Sequence, residues 1–178
     1  MNVILVMVQT VNGKITKGND PNIYSWTSKE DADFFFRLLK KHTLIVMGRG
    51  TYEAVKKNIR PRAGQLRIVL TRNPAKYQNV AIPSQLEFHS ASPEELIRQM
   101  EKRGFATMLL VGGGELNKAF FQSLLIDELY LTIEPRIFGS GKHVIKDGDF
   151  TQNLRLISLK KLNEQGTVLL HYRIEHVE

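Results

Sequence analysis

Three segments of this 178-residue chain carry residue types that hold phosphates, each where an apolar run gives way to a helical pattern. The first is Leu110-Val111-Gly112-Gly113-Gly114-Glu115-Leu116. Contiguous glycines let the backbone approach a ligand closely, and the helix start behind them turns free N–H groups toward an anion. The same residues could equally form only a tight strand-to-helix turn. They match neither the P-loop, having no Lys-Ser/Thr pair, nor the GxGxxG fingerprint. Val46-Met47-Gly48-Arg49-Gly50-Thr51-Tyr52 repeats the arrangement with a fixed charge at Arg49 and a hydroxyl at Thr51. Val69-Leu70-Thr71-Arg72-Asn73-Pro74 repeats it once more. Open α/β sheets bind ligands at the carboxyl ends of their strands, so three strand ends that read alike favour one shared site. Arg49 and Arg72 together suit a phosphate monoester, such as the 2′-phosphate that separates NADP from NAD.

A fourth feature is acidic. With Asp31 at zero and about 100° per helical residue, Leu38 falls at about 340°, Phe35 at about 40°, Phe34 at about 300° and Leu39 at about 80°. The apolar face is therefore centred on Asp31, while Glu30 and Asp33 lie off it. A carboxyl turned inward among Phe and Leu has its charged form disfavoured and becomes a proton donor near neutrality. The alternative is that Asp31 only caps its helix, because Thr27-Ser28-Lys29-Glu30-Asp31 offers two overlapping capping boxes.

Positioning these groups requires a sheet. Strands are expected at Val3–Val8, Thr43–Met47, Leu66–Thr71, Leu86–His89, Met108–Val111, Glu128–Glu134, Leu154–Leu162 and Thr167–Glu175. Helices are expected at Ser28–Lys41, Thr51–Lys57, Pro93–Arg103 and Leu116–Leu124. Strand–helix alternation implies an α/β fold, with a mostly parallel central sheet and helices on both faces. The last two strands alternate more and are joined by Asn163–Gly166, as in an antiparallel hairpin. No repeat or linker interrupts the chain, so residues 1–178 read as a single domain.

Composition removes several classes. There are no cysteines, which excludes disulfides and thiolate chemistry. The five histidines, His42, His89, His143, His171 and His176, form no ligand spacing, so no metal is expected. No Gly-x-Ser-x-Gly setting for a nucleophile occurs. Met1–Val8 lacks a basic region and a cleavage site, and no apolar run nears the roughly 20 residues of a membrane span. A cytoplasmic protein without a membrane partner is the expectation. The net charge of +7 calls for an anionic partner. Nucleic acid is not expected, since no aromatic-basic interleaving appears.

Together the segments resemble the dihydrofolate reductase superfamily, and most of all the reductase domain of the riboflavin-biosynthesis deaminase/reductase. Asn12-Gly13-Lys14-Ile15, Ser25-Trp26-Thr27-Ser28 with Glu30-Asp31, and Met47-Gly48-Arg49 with Thr51-Tyr52 carry the likeness. So do Val111 to Leu116 and Asp127-Glu128-Leu129-Tyr130-Leu131-Thr132, followed by Pro135 and Phe138-Gly139-Ser140-Gly141. The resemblance implies a dihydrofolate reductase-like fold and an NADPH-dependent reductase acting on a small molecule: 5-amino-6-(5-phosphoribosylamino)uracil or a related pyrimidine or pteridine. Gly48, Arg49, Thr51, Thr71 and Arg72 would hold the adenosine end and its 2′-phosphate. Gly112, Gly113, Gly114, Glu115 and Leu116 would hold the pyrophosphate. The loop Val11–Thr16 would lie beside the nicotinamide. Asp31 and Thr132 would be catalytic, with Lys14 and Trp26 beside Asp31 on the substrate side. A homodimer is expected on the same basis. Two departures stand out: Val111 replaces the family's usual Glu before the glycines, and Ala54–Asn58 lacks its Asp-x-Pro. Dihydrofolate reductase proper and a non-enzymatic NADPH sensor are the alternatives.

Overall fold

The computed structural model describes residues 1–20 and 22–175; His176 lies outside that range. The eight expected strands form as β1 (Asn2–Thr10), β2 (Leu44–Gly48), β3 (Leu66–Leu70), β4 (Leu86–His89), β5 (Thr107–Leu110), β6 (Glu128–Glu134), β7 (Asn153–Lys161) and β8 (Val168–Glu175). The four helices are α1 (Lys29–Lys41), α2 (Arg49–Val55), α3 (Pro93–Lys102) and α4 (Gly114–Gln122). One sheet runs β4-β3-β2-β5-β1-β6-β8-β7. The first six strands in that order are parallel, and β8 and β7 close the sheet antiparallel.

β1 shows why the runs are apolar throughout rather than alternating. Val3 and Leu5 enter one core with Leu96, Met100, Phe120 and Phe121 of α3 and α4. Ile4 and Val6 enter the other, against which Phe34, Phe35, Leu38 and Leu39 of α1 pack. A central parallel strand buried on both faces has no polar side. The helices thus cover both faces, as expected.

Two boundaries differ from expectation in a way that matters. α2 and α4 each begin two residues early, with Gly48 and Gly113 as N-caps. Neither cap offers a side-chain acceptor, so the first N–H groups of both helices stay open at the carboxyl edge of the sheet. Two short 3₁₀ segments, Ile23–Ser25 and Pro74–Val80, carry no apolar periodicity and escape a sequence reading. Among the described residues, no helix is long and apolar enough to cross a membrane.

Candidate functional site

The carboxyl ends of β2, β3 and β5 open onto one cavity of about 2020 Å³, room for a dinucleotide and a second molecule together. Of the residues expected to bind a cofactor, Gly48, Arg49, Thr51, Thr71, Arg72, Gly113, Gly114, Glu115 and Leu116 line it, as does Asp31. The Gly48 N–H donates to the Gly112 carbonyl at 2.7 Å and joins the ends of β2 and β5. Gly112 has φ +83, and a Cβ there would stand 2.7 Å from the Met7 sulfur, so only glycine fits. At Gly114 a Cβ would meet the His143 carbonyl oxygen at 2.5 Å. The segment around His143 straps this loop: Asn117, fully buried, donates to the Val144 carbonyl at 2.7 Å, and Lys146 N–H to that of Gly114 at 3.1 Å.

These features fit a dinucleotide. The α4 start gives uncapped N–H groups behind glycines that bring the backbone close, which suits a pyrophosphate. Arg49 and Arg72, both exposed in the cavity wall, suit a further phosphate.

Asp31 is the one fully buried residue of α1, at 6 % exposure. The apolar residues around it are only half-buried, because the cavity runs past them. Burial pushes its carboxyl up to about 6, with the nearby Glu134 charge adding to the effect. The Thr132 hydroxyl opposes that shift; it is itself buried without a hydrogen bond of good geometry. The capping alternative resolves in half. Ser28 does cap α1, accepting from Asp31 N–H at 3.2 Å. The return bond, however, is taken by another residue: Ser28 N–H donates to Glu134 Oε1 at 2.6 Å. The Asp31 carboxyl is not engaged in a capping box.

Lys14, Trp26, Gly112 and Thr132 stand outside the wall of the large cavity. Lys14 Nζ lies 2.7 Å from His143 Nε2. Trp26 is buried, edge-on to Phe138, beside a smaller cavity. The loop Val11–Thr16 is clasped to the one after β6, Asn12 exchanging hydrogen bonds with the Phe138 backbone at 2.8 and 3.2 Å. Among the described residues no group of His, Asp or Glu could hold a metal.

Two features escape a reading of motifs. One is Glu134, a buried acid in a strand. The other is Arg60, Arg62 and Arg67, which line the cavity's far end near Phe35, Leu39 and Lys40. Their guanidinium groups donate only to backbone carbonyls. Burial, and the Arg62 charge beside it, depress Arg67. A signal existed: residues 54–86 hold seven cations and no acid.

Residues 1–168 match the family described as the RibD C-terminal domain. A dihydrofolate reductase of Aedes albopictus is 30% identical over 139 residues, 72% of this chain and 70% of that protein. The fold is similar to that of a diaminohydroxyphosphoribosylaminopyrimidine deaminase/5-amino-6-(5-phosphoribosylamino)uracil reductase from Thermotoga maritima. There the TM-score is 0.72 and the identity 18%, covering 97% of this chain and 56% of that one. It is similar too to dihydrofolate reductase from Enterococcus faecalis complexed with NADP(H), with TM-score 0.69, 22% identity, and coverage of 98% and 97%.

Two outcomes are expected. Raising an Asp from 3.8 to about 6 means that its ionised form costs the fold on the order of 3 kcal/mol. The folded state holds this proton more tightly than the unfolded chain, so stability falls as pH rises from about 3.8 to 6, and the full cost stands above 6. Asp31→Asn should therefore stabilise the protein by up to about 3 kcal/mol at pH 8 and by almost nothing at pH 3.5, read from denaturant midpoints. Gly114→Ala should displace the His143 strap, since the atom its Cβ would meet is a backbone oxygen rather than the end of a flexible side chain. About 1–3 kcal/mol of stability should go with it, along with dinucleotide affinity measured by calorimetry.

Proposed function

The chain belongs to the RibD C-terminal domain family, and on that premise we propose that it is an NADPH-dependent reductase. Its proposed acceptor is 5-amino-6-(5-phosphoribosylamino)uracil or a related pyrimidine or pteridine, and its setting is the cytoplasm. The observation that carries this reading is Asp31, a buried carboxyl in the wall of the same cavity onto which two uncapped helix starts open. Gly112 to Leu116 would hold the pyrophosphate, and Gly48, Arg49, Thr51, Thr71 and Arg72 the adenosine end with its 2′-phosphate. When bound there, NADPH supplies the hydride.

The chain's own residues do the rest. Phe35, Phe36 and Leu39 of α1 offer partly exposed apolar surface to a planar ring. Asp31, protonated below about pH 6, gives its proton to the heteroatom of a C=N or C=O bond as the carbon is reduced. Thr132 supports the carboxylate left behind. Arg60, Arg62 and Arg67 sit where an acceptor's phosphate would relieve their mutual repulsion. The likeness to a dihydrofolate reductase makes dihydrofolate the second candidate, with its carboxylates at the same arginines.

A homodimer is part of the proposal. β7 is the last strand of the sheet, and all nine of its residues are exposed, with Leu154 at 41 %, Leu156 at 50 %, Ile157 at 46 % and Leu159 at 62 %. A bulge between Leu156 and Ser158 shifts the register, so that Leu154, Leu156 and Leu159 all stand opposite Ile174, Tyr172 and Leu170, on one face. A long apolar edge left bare invites another strand, and a second copy of this chain would cover it.

Loss of NADPH absorbance with each acceptor in turn tests the activity. Asp31→Asn should cut turnover by about 10²–10⁴ while leaving NADPH affinity in place; full turnover in that variant would remove Asp31 from the mechanism. Light scattering should give twice the chain mass, and Leu156→Glu should halve it.

A further inference from the structure

Glu134 is a charged residue, 3 % exposed, that no motif announces and no step above uses. It lies two residues beyond Thr132 on β6, so the two side chains share a face of the sheet. Both carboxylate oxygens accept hydrogen bonds: Oε1 from Ser28 N–H at 2.6 Å, Oε2 from the Thr167 hydroxyl at 2.8 Å. Thr167 is gripped in turn by Asn163, whose Nδ2 donates to its hydroxyl at 3.0 Å and whose Oδ1 accepts from its N–H at 3.0 Å. Asn163 Nδ2 also reaches Glu30 Oε2 at 3.1 Å. One buried carboxylate thereby ties the start of α1 to the turn between β7 and β8.

We propose that Glu134 is a positioning residue for the proton donor, a second carboxylate that fixes where Asp31 stands and bears on its proton through its charge. Position is set through Ser28. Ser28 N–H is one of the donors that a helix start leaves without a partner, and Glu134 satisfies it while the Ser28 hydroxyl holds Asp31 N–H. Proton affinity is set through charge: two buried acids of one site resist ionising together, and beside the larger effect of burial the Glu134 charge raises the proton affinity of Asp31. The groups around the pair are Ser28 at the cap of α1 and Glu30 within it, Thr132 from β6, Asn163 and Thr167 from the turn between β7 and β8, and Arg136 after β6. The acid pair thus comes from two elements brought together by folding. This inference rests on Asp31 as proton donor, but its readout does not require turnover.

The test is a carbon-13 carboxyl NMR titration of the whole protein, with and without Glu134→Gln and Glu134→Asp. Gln keeps an acceptor for Ser28 and removes the charge; Asp keeps the charge on a shorter arm. Asp31 should titrate near pH 6 in the unaltered protein and lower in Glu134→Gln, a several-fold loss of proton affinity, with Glu134→Asp restoring most of it. In the unaltered protein the Glu134 resonance should also carry an inflection at the Asp31 midpoint, a readout independent of whether any variant folds. An Asp31 midpoint unmoved by Gln, equal behaviour of Gln and Asp, or no shared inflection would each overturn the proposal. A confirmed shift in a protein that oxidises NADPH with no acceptor would leave the positioning role standing and sink the reductase reading instead.

Discussion

The candidate site is organised around one carboxyl, Asp31, held largely out of water at the fold's expense. Asp31 sits at the centre of the apolar stripe of α1, where leucine or alanine would cost nothing. The stripe is otherwise half-buried, its residues packed on the core at one side and bordering the cavity at the other. The helix is therefore poorly stabilised by burial of its own apolar face, and its start is secured by hydrogen bonds instead. Ser28 caps it, and Glu134 reaches across from β6 to take the donor that the cap leaves over. Stability alone would not place an Asp at the centre of that stripe. Such a conflict between local stability and structure marks a functional site.

The rest of the cavity obeys a complementary constraint. Asp31 is an acid in the cavity wall, and other stretches of the same wall supply positive charge. Glycine at 112 and 114 removes side-chain bulk where strand end, strap and helix start converge, and the open N–H groups of α4 stand behind it. The +7 balance acquires a location: residues 54–86 contribute seven cations and no acid. Arg60, Arg62, Arg67 and Arg72 of that stretch all line the cavity, so part of the excess charge is gathered in its wall.

Most of this was legible in the chain itself. The parallel strands are continuous apolar runs because both their faces are buried, and the glycine-bearing strand ends that the sequence singles out open onto one cavity. The angular position of Asp31 follows from α1 alone. Glu134 could not be found in that way. On a strand its neighbours Ile133 and Thr132 give no hint of which face an acid takes, and its partners Ser28 and Thr167 are more than thirty residues away on either side. Lys14 and Trp26 show another side of the same limit: the sequence offers both by resemblance alone, and the partners they have here, His143 for Lys14 and Phe138 for Trp26, come from the loop after β6, more than a hundred residues away. Residue types and spacing reveal edges and faces, whereas long-range pairing decides which polar groups meet.

The most direct measurement of the central claim follows the transferred atom. NADPH deuterated at both C4 positions of the nicotinamide, supplied with the phosphoribosylated aminouracil or dihydrofolate, should leave one deuterium on the reduced carbon of the product, detected by mass spectrometry. Product without the label, or NADPH consumed without any reduced acceptor, would contradict a reductase site built around Asp31.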